Sequence, residues 1–247
     1  MILLDVGNTY TKWEVAFDRE APCGSFFTRN LLGGVTSLID AYPQERAILA
    51  SWVGKAEARP AVQQRLAARG IAFEVAVSRR EQLGLINGYE DPDKLGVDRW
   101  LAMLGLWHCN RRPFCVVDAG TALTMDFVDA SGRHLGGYIV PGVRTMITSL
   151  NVATAQIDCT LINNDEIEWQ PAKNTTDAVQ RGVMVTLAGA IEYASARVAK
   201  QYDLNDIDCF VGGGDGALLA TLLGPQWQME KSLVIAGLKA YLLSDPT

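Results

Sequence analysis

A chain of 247 residues, 49% hydrophobic and 20% charged with 23 glycines, has the composition of a folded α/β protein and excludes a disordered one. Its net charge of −6 argues against nucleic acid or an anionic membrane as the main partner, although a small phosphorylated ligand needs only local positive potential. Five cysteines (Cys23, Cys109, Cys115, Cys159, Cys209) form an odd set without C-x-x-C spacing, which suits reduced thiols packed mostly as small hydrophobes.

The chain opens with "ILLDVGNTYTKWEV". An apolar run from Ile2 meets Asp5, Gly7 and small polar residues before a β-prone segment, which predicts a hairpin. "RAILASWV" predicts a strand ending at Val53, "AEARPAVQQRLAARG" an amphipathic helix ended by Gly70, and "IAFEVAV" another strand. "SRR" at Ser78 to Arg80 reads as a solvated charge run. A loop from Leu83 to Leu95 then leads to "GVDRWLAMLGLWHC", apolar at helical spacing.

At Cys115 the opening returns as "CVVDAGTALTMDFV". With no gaps, Asp5 falls on Asp118, Gly7 on Gly120, Thr11 on Thr124 and Val15 on Val128. The repeat distance is close to half the chain, so two similar domains about a cleft are expected, 1–112 and 113–247. The second half continues with turn chemistry at Asp129 to Gly132 and a strand "HLGGYIV". A long helix from about Asn174 to Tyr202, a strand "DCFVGGGDG" and a terminal helix from about Ser232 follow. Alternating strands and helices with a hairpin opening each half give α/β with mixed sheets. No basic n-region with an apolar h-region opens the chain, and its late apolar stretches are too short or too charged to span a bilayer, so a cytoplasmic protein is expected.

Asp5 raises a specific problem, because burying a carboxylate without a partner costs several kcal/mol. One such turn alone reads as an aspartate capping its own backbone. Two copies facing across a cleft read differently. Gly7 permits a tight turn, Asn8, Thr9 and Thr11 supply donors for phosphate, and Lys12 adds charge. An aspartate beside phosphate requires a cation between them, and magnesium takes one or two carboxylates with substrate phosphates. Asp98 and Arg99 follow Gly96 where a helix begins. Asp98 there is either an N-cap or a carboxylate able to take a hydroxyl proton while Arg99 holds an anionic group. "VGGGDG" is a third glycine-rich turn, but neither a Walker A sequence nor a Rossmann G-x-G-x-x-G is present, and no serine lies in G-x-S-x-G. His108 and His134 lack metal-ligand spacing and read as structural.

Together, D-x-G-N-T-x-x-K at Asp5 to Lys12, G-x-D-R at Gly96 to Arg99, D-x-G-T-A at Asp118 to Ala122 and G-G-x-I-x-P-G at Gly136 to Gly142 resemble type III pantothenate kinase. The likeness runs on through "NTTDAVQRG" and "VGGGDG". That family belongs to the acetate kinase, sugar kinase, Hsp70 and actin superfamily. The resemblance therefore implies two actin-like (ribonuclease H-like) domains with mixed sheets flanked by helices and a cleft between them.

It further implies phosphorylation of pantothenate by ATP, the first step of coenzyme A synthesis. Asp98 would be the general base and Asp5 would hold magnesium. Val6, Gly7, Asn8, Thr9, Tyr10, Thr11, Lys12 and Thr121 would line the ATP phosphates together with Asp5. Asp118 would bind a monovalent cation, potassium or ammonium. Tyr89, Gly96, Val97, Asp98, Arg99 and Thr175 would contact pantothenate, with Thr176 the alternative to Thr175. A homodimer is implied, with the pantothenate pocket near the interface, apolar "VMVTLAGAI" of the long helix presented outward, and no nucleic acid or membrane as partner. Two rivals stay open: another small-molecule kinase of the superfamily, and a catalytically silent regulatory relative.

Overall fold

The structure is a computed structural model that describes residues 1–16, 22–160, 170–204 and 206–243. It divides into two compact units, Met1–Asn110 with Leu233–Thr247, and Arg111–Ser232.

In the first unit the opening hairpin is β1 (Ile2–Val6) and β2 (Tyr10–Val15), followed by β3 (Cys23–Phe27), α1 (Leu31–Ala41), β4 (Ala47–Trp52), α2 (Arg59–Ala67) and β5 (Ala72–Val75). A short β6 (Glu81–Gln82) and β7 (Leu85–Ile86) precede α3 (Val97–Asn110). The sheet has the order β3-β2-β1-β4-β5, antiparallel for the hairpin and β3, parallel for β4 and β5. The two-residue period of the strands fixes the core. Ile2, Leu4, Val6, Val15, Ile48 and Ala50 turn to one face and bury against Leu31, Val35, Leu38 and Ile39 of α1 and Val62 and Leu66 of α2. On α1 these residues recur at helical spacing, although the two glycines of "LLGGVTSLIDA" weaken its helical signal in the sequence. Gly34 is needed there, because a β-carbon would run into the Phe26 ring.

The second unit repeats the design. Its elements are β8 (Phe114–Ala119), β9 (Ala122–Val128), β10 (His134–Pro141), α4 (Val143–Ala153), α5 (Thr175–Gln201), β11 (Asp208–Gly212), α6 (Gly216–Ala220) and β12 (Trp227–Glu230). The sheet order β10-β9-β8-β11-β12 carries the same senses as the first sheet. Cys115, Val117, Leu123, Met125 and Phe127 bury against Val143 and Ile147 of α4 and Val183, Leu187 and Ile191 of α5. Of the five thiols, Cys23 and Cys109 are exposed and the other three buried. Burial pushes the Cys209 thiol up to about 11 and raises Cys115 further, so these two behave as packed hydrophobes. His134 is buried and bonded through Nε2 to Asp126 at 2.9 Å, a structural role.

Four features depart from the sequence reading. The ungapped match of the hairpins slips by one residue after the turn: Asp5 pairs with Lys12, but Asp118 pairs with Thr124. Thr124 is therefore the counterpart of Lys12, and Leu123 that of Thr11, because a one-residue shift would flip every side chain to the other face. Second, the terminal helix α7 (Leu233–Leu242) does not stay with the second half. It packs on β1, β4 and α3 of the first unit, so the segment 113–247 is not one compact body. Third, "SRR" is not a solvated run. Ser78 is buried and donates to the Leu95 carbonyl at 2.7 Å, and Arg79 lies 4.6 Å over the Tyr241 ring and donates to its hydroxyl at 3.1 Å; Arg80 alone is exposed. Fourth, β3, α1, α4, α6 and β12 carried no strong sequence signal. No helix among the described residues is long and apolar enough to cross a membrane.

Candidate active site

The first hairpin turn is closed by the Gly7 amide donating to the Tyr10 carbonyl at 3.1 Å, and a β-carbon on Gly7 would stand 3.0 Å from that oxygen. Asp5 is half-buried, and the strand register sets it opposite Lys12 on β2 and the fully buried Ser51 on β4, all three on the sheet face away from α1 and α2. Asn8, Thr9 and Tyr10 are exposed at the tip. Thr11 is not available with them: it is fully buried and its hydroxyl pairs with that of Thr28 at 3.0 Å. Alternation turns its side chain toward the core, so a donor from Thr11 to phosphate would have to come from its backbone. Val6 is likewise a core residue, and its carbonyl accepts from the Val53 and Gly54 amides, each at 3.1 Å, which ties the turn to the end of β4.

The second turn is held more tightly. Gly120 donates to the Ala122 carbonyl at 3.0 Å, and the Thr121 carbonyl accepts from the Gly142 amide at 3.0 Å and the Thr145 hydroxyl at 2.6 Å. A β-carbon on Gly142 would overlap the Gly120 carbonyl, which explains the final glycine of G-G-x-I-x-P-G. From the other side Gly213, at φ +89°, lies against Ala119 and the Asp118 carboxylate, where no side chain would fit. The "VGGGDG" motif is thus the packing partner of the aspartate turn. Asp215, just beyond, donates its amide to the Ala119 carbonyl at 3.0 Å. Burial raises its carboxyl above the ordinary value, opposed by Arg144 at 3.9 Å. The sequence offers Gly212 to Gly214 only as weaker candidates for the adenosine end of the nucleotide, and it does not identify Gly142, Thr145 or Asp215 as site residues. Asp118 itself is half-buried and Thr121 exposed.

The third cluster stands at the head of α3. The Gly96 carbonyl accepts the first helical bond, from the Trp100 amide at 3.0 Å, so Asp98 lies in the first turn and is not the N-cap. Its Oδ1 accepts from the Arg99 amide at 2.9 Å, and a β-carbon on Gly96 would stand 2.7 Å from that oxygen. Arg99 is buried, donates from Nη1 to the Tyr89 hydroxyl at 2.7 Å, and holds its guanidinium 5.6 Å from the ring centre. Gly96, Val97, Asp98, Arg99 and Tyr89 are therefore neighbours.

Thr175 is in the other unit. Asn174 caps α5 by accepting from the Asp177 amide at 2.9 Å, which puts Thr175 in the first turn, where it lines a cavity of about 760 Å³ with Met146, Leu150, Val179 and Val183; Thr176 does not line it.

Two sheets of one topology, each opening with an aspartate-bearing hairpin, define an actin-like α/β fold. A solved structure described as a putative 2-dehydro-3-deoxygalactonokinase from Sinorhizobium meliloti shares this fold, with a TM-score of 0.55 at 16% identity over 98% of this chain and 95% of that one. So does a putative Baf family transcriptional activator from Campylobacter jejuni, with a TM-score of 0.63 at 20% identity over 97% and 96%. At such identities these likenesses show the fold alone.

A sequence model of type III pantothenate kinase matches residues 1–197. Type III pantothenate kinases from Pseudomonas syringae and Azoarcus are 36% and 33% identical, covering 96% and 99% of this chain and 97% and 91% of their own. The chain belongs to the type III pantothenate kinase family, and is a kinase.

Proposed function

We propose that the chain transfers the γ-phosphoryl group of ATP to the primary hydroxyl of pantothenate in the cytoplasm, opening coenzyme A synthesis, with the roles divided among the three clusters above. The observation that carries the reading is the head of α3, where a carboxylate, Asp98, adjoins a buried guanidinium, Arg99, already oriented by Tyr89. Arg99 and Tyr89 hold the substrate carboxylate, with the backbone at Gly96 and Val97 alongside and Thr175 as a further contact. Asp98 accepts the proton as the hydroxyl oxygen bonds to the γ-phosphorus and the bond to the β–γ bridging oxygen breaks, releasing ADP. The exposed tip at Asn8 to Tyr10, with Gly7, Lys12 and Thr121, binds phosphate.

Asp5 is an oxygen donor at a strand end beside that tip, suited to magnesium. Asp118, gripped by glycine on one side, suits a monovalent cation. When bound, these ions neutralise charge on the transferring phosphoryl group. Asp5→Asn should raise the magnesium concentration for half-maximal rate, and an unchanged metal titration would count against its role.

A coupled assay with pantothenate, ATP and magnesium should show turnover with potassium or ammonium well above that with sodium. Absence of pantothenate-dependent ADP formation overturns the reading, and a panel of other hydroxy acids and sugars would then identify the acceptor. Of the "VMVTLAGAI" segment expected to face outward, Val183, Met184, Leu187, Ala188 and Ile191 are instead buried in the second core, and Val185 is exposed. We further propose a homodimer through the outer face of α5, where Val185 is 49% and Tyr193 70% exposed. Sedimentation velocity at micromolar chain should report the dimer; a monomer refutes it.

A further inference from the structure

We infer that Asn87 is a positioning residue for the acidic acceptor, fixing Tyr89 and through it Arg99; this rests on the reading that Arg99 holds the substrate carboxylate. Residues 78–95 form a strap whose only sheet is a pair of two-residue strands, so little regular hydrogen bonding sets its course. The strap is pinned at its ends by Ser78 bonding to Leu95, and at α7 by Arg79 and Gln82 bonding to Tyr241.

Asn87, 5% exposed, organises the interior. Its Nδ2 donates to the carbonyls of Arg79 at 3.1 Å and Pro92 at 3.2 Å, its Oδ1 accepts from the Tyr89 amide at 3.0 Å, and its own amide donates to the Arg80 carbonyl at 2.9 Å. Three points of the strap thus converge on one buried amide, using both of its protons. The contact to Tyr89 is an Asx-type turn that sets the backbone carrying the phenol, and that phenol receives Arg99 at 2.7 Å. An arginine held this way meets a carboxylate with less rotamer freedom to lose. Asn87 acts through this pair, by its bond to the Tyr89 amide.

Asn87→Asp keeps an oxygen for the Tyr89 amide, removes both donors and sets a carboxylate against two carbonyls. With saturating ATP and its cations, the variant should raise the pantothenate KM on the order of tenfold, with kcat and the ATP KM within about twofold, because binding is lost equally from ground and transition states. The preference for pantothenate over its analogue with a primary amide in place of the carboxylate should fall by a similar factor. Should the Asp variant not fold, Asn87→Ser carries the same expectation.

An unchanged pantothenate KM overturns the inference. So does a parallel fall in kcat, ATP affinity and melting temperature, the mark of a merely structural residue. A wild-type chain that leaves pantothenate unphosphorylated overturns the reading of the site and this inference together, whereas an active wild type with an unaffected variant overturns the inference alone.

Discussion

Asp98→Asn should lower kcat by on the order of 10²-fold or more while the chain still folds. The side chain is nearly isosteric, and the contact that seats it, Oδ1 accepting from the Arg99 amide at 2.9 Å, survives in the amide. What the fold loses is a negative charge in the first turn of α3, worth about 0.3–1 kcal/mol against the helix dipole. What the reaction loses is its proton acceptor. A loose transition state asks little covalent help of the protein, so positioning by Arg99 and Tyr89 persists and the pantothenate KM should hold within a few-fold. Matched circular dichroism and melting curves, with steady-state kinetics at saturating potassium and magnesium, separate the two losses. Turnover near that of the wild type would remove Asp98 from the base role and leave it a helix-terminus residue.

Gly237→Ala should destabilise the first unit by about 3 kcal/mol or more, against the roughly 1 kcal/mol by which alanine ordinarily favours a helix over glycine. At this crossing α3 and α7 meet backbone to backbone. A β-carbon on Gly237 would overlap the Leu101 carbonyl and stand 2.7 Å from its Cα, and one on Gly105 would stand 2.8 Å from the Gly237 nitrogen. Backbone atoms cannot rotate aside as a side chain can, so α7 must lift off. It would take with it the Tyr241 hydroxyl that receives Arg79 and the Lys239–Glu14 ion pair. A loss of this size lowers the melting temperature by about 6 °C or more. Thermal unfolding reads it directly, and a shift under about 2 °C would show that the helices have room to part. Because α3 carries Asp98 at its head, activity should fall before global unfolding.

Local chemistry made part of this molecule legible. Apolar runs into Asp-x-Gly announced both hairpins, helical spacing announced α2 and α3, Gly70 marked the end of α2, and helices are expected close to where α5 and α7 stand. Other elements had weak signals for stated reasons. In α1 two glycines mask an amphipathic stripe, one of them there to admit Phe26, and α4 is rich in β-branched residues that favour strands. Asn87 sits two residues before Tyr89 in a segment that reads only as loop, since the carbonyls it gathers come from residues 79 and 92.

By itself the sequence determined β1, β2, β4, β5 and β8 to β11, the helices α2, α3, α5 and α7, the duplicated aspartate turns and the family, because these depend on residues near one another in the chain. Only the tertiary structure decided the one-residue slip between the hairpins, the burial of Thr11, the return of α7 to the first unit and the glycine grip on the Asp118 turn. Those outcomes turn on how closely distant backbones can approach and which face a strand presents, and neither quantity is written in local composition.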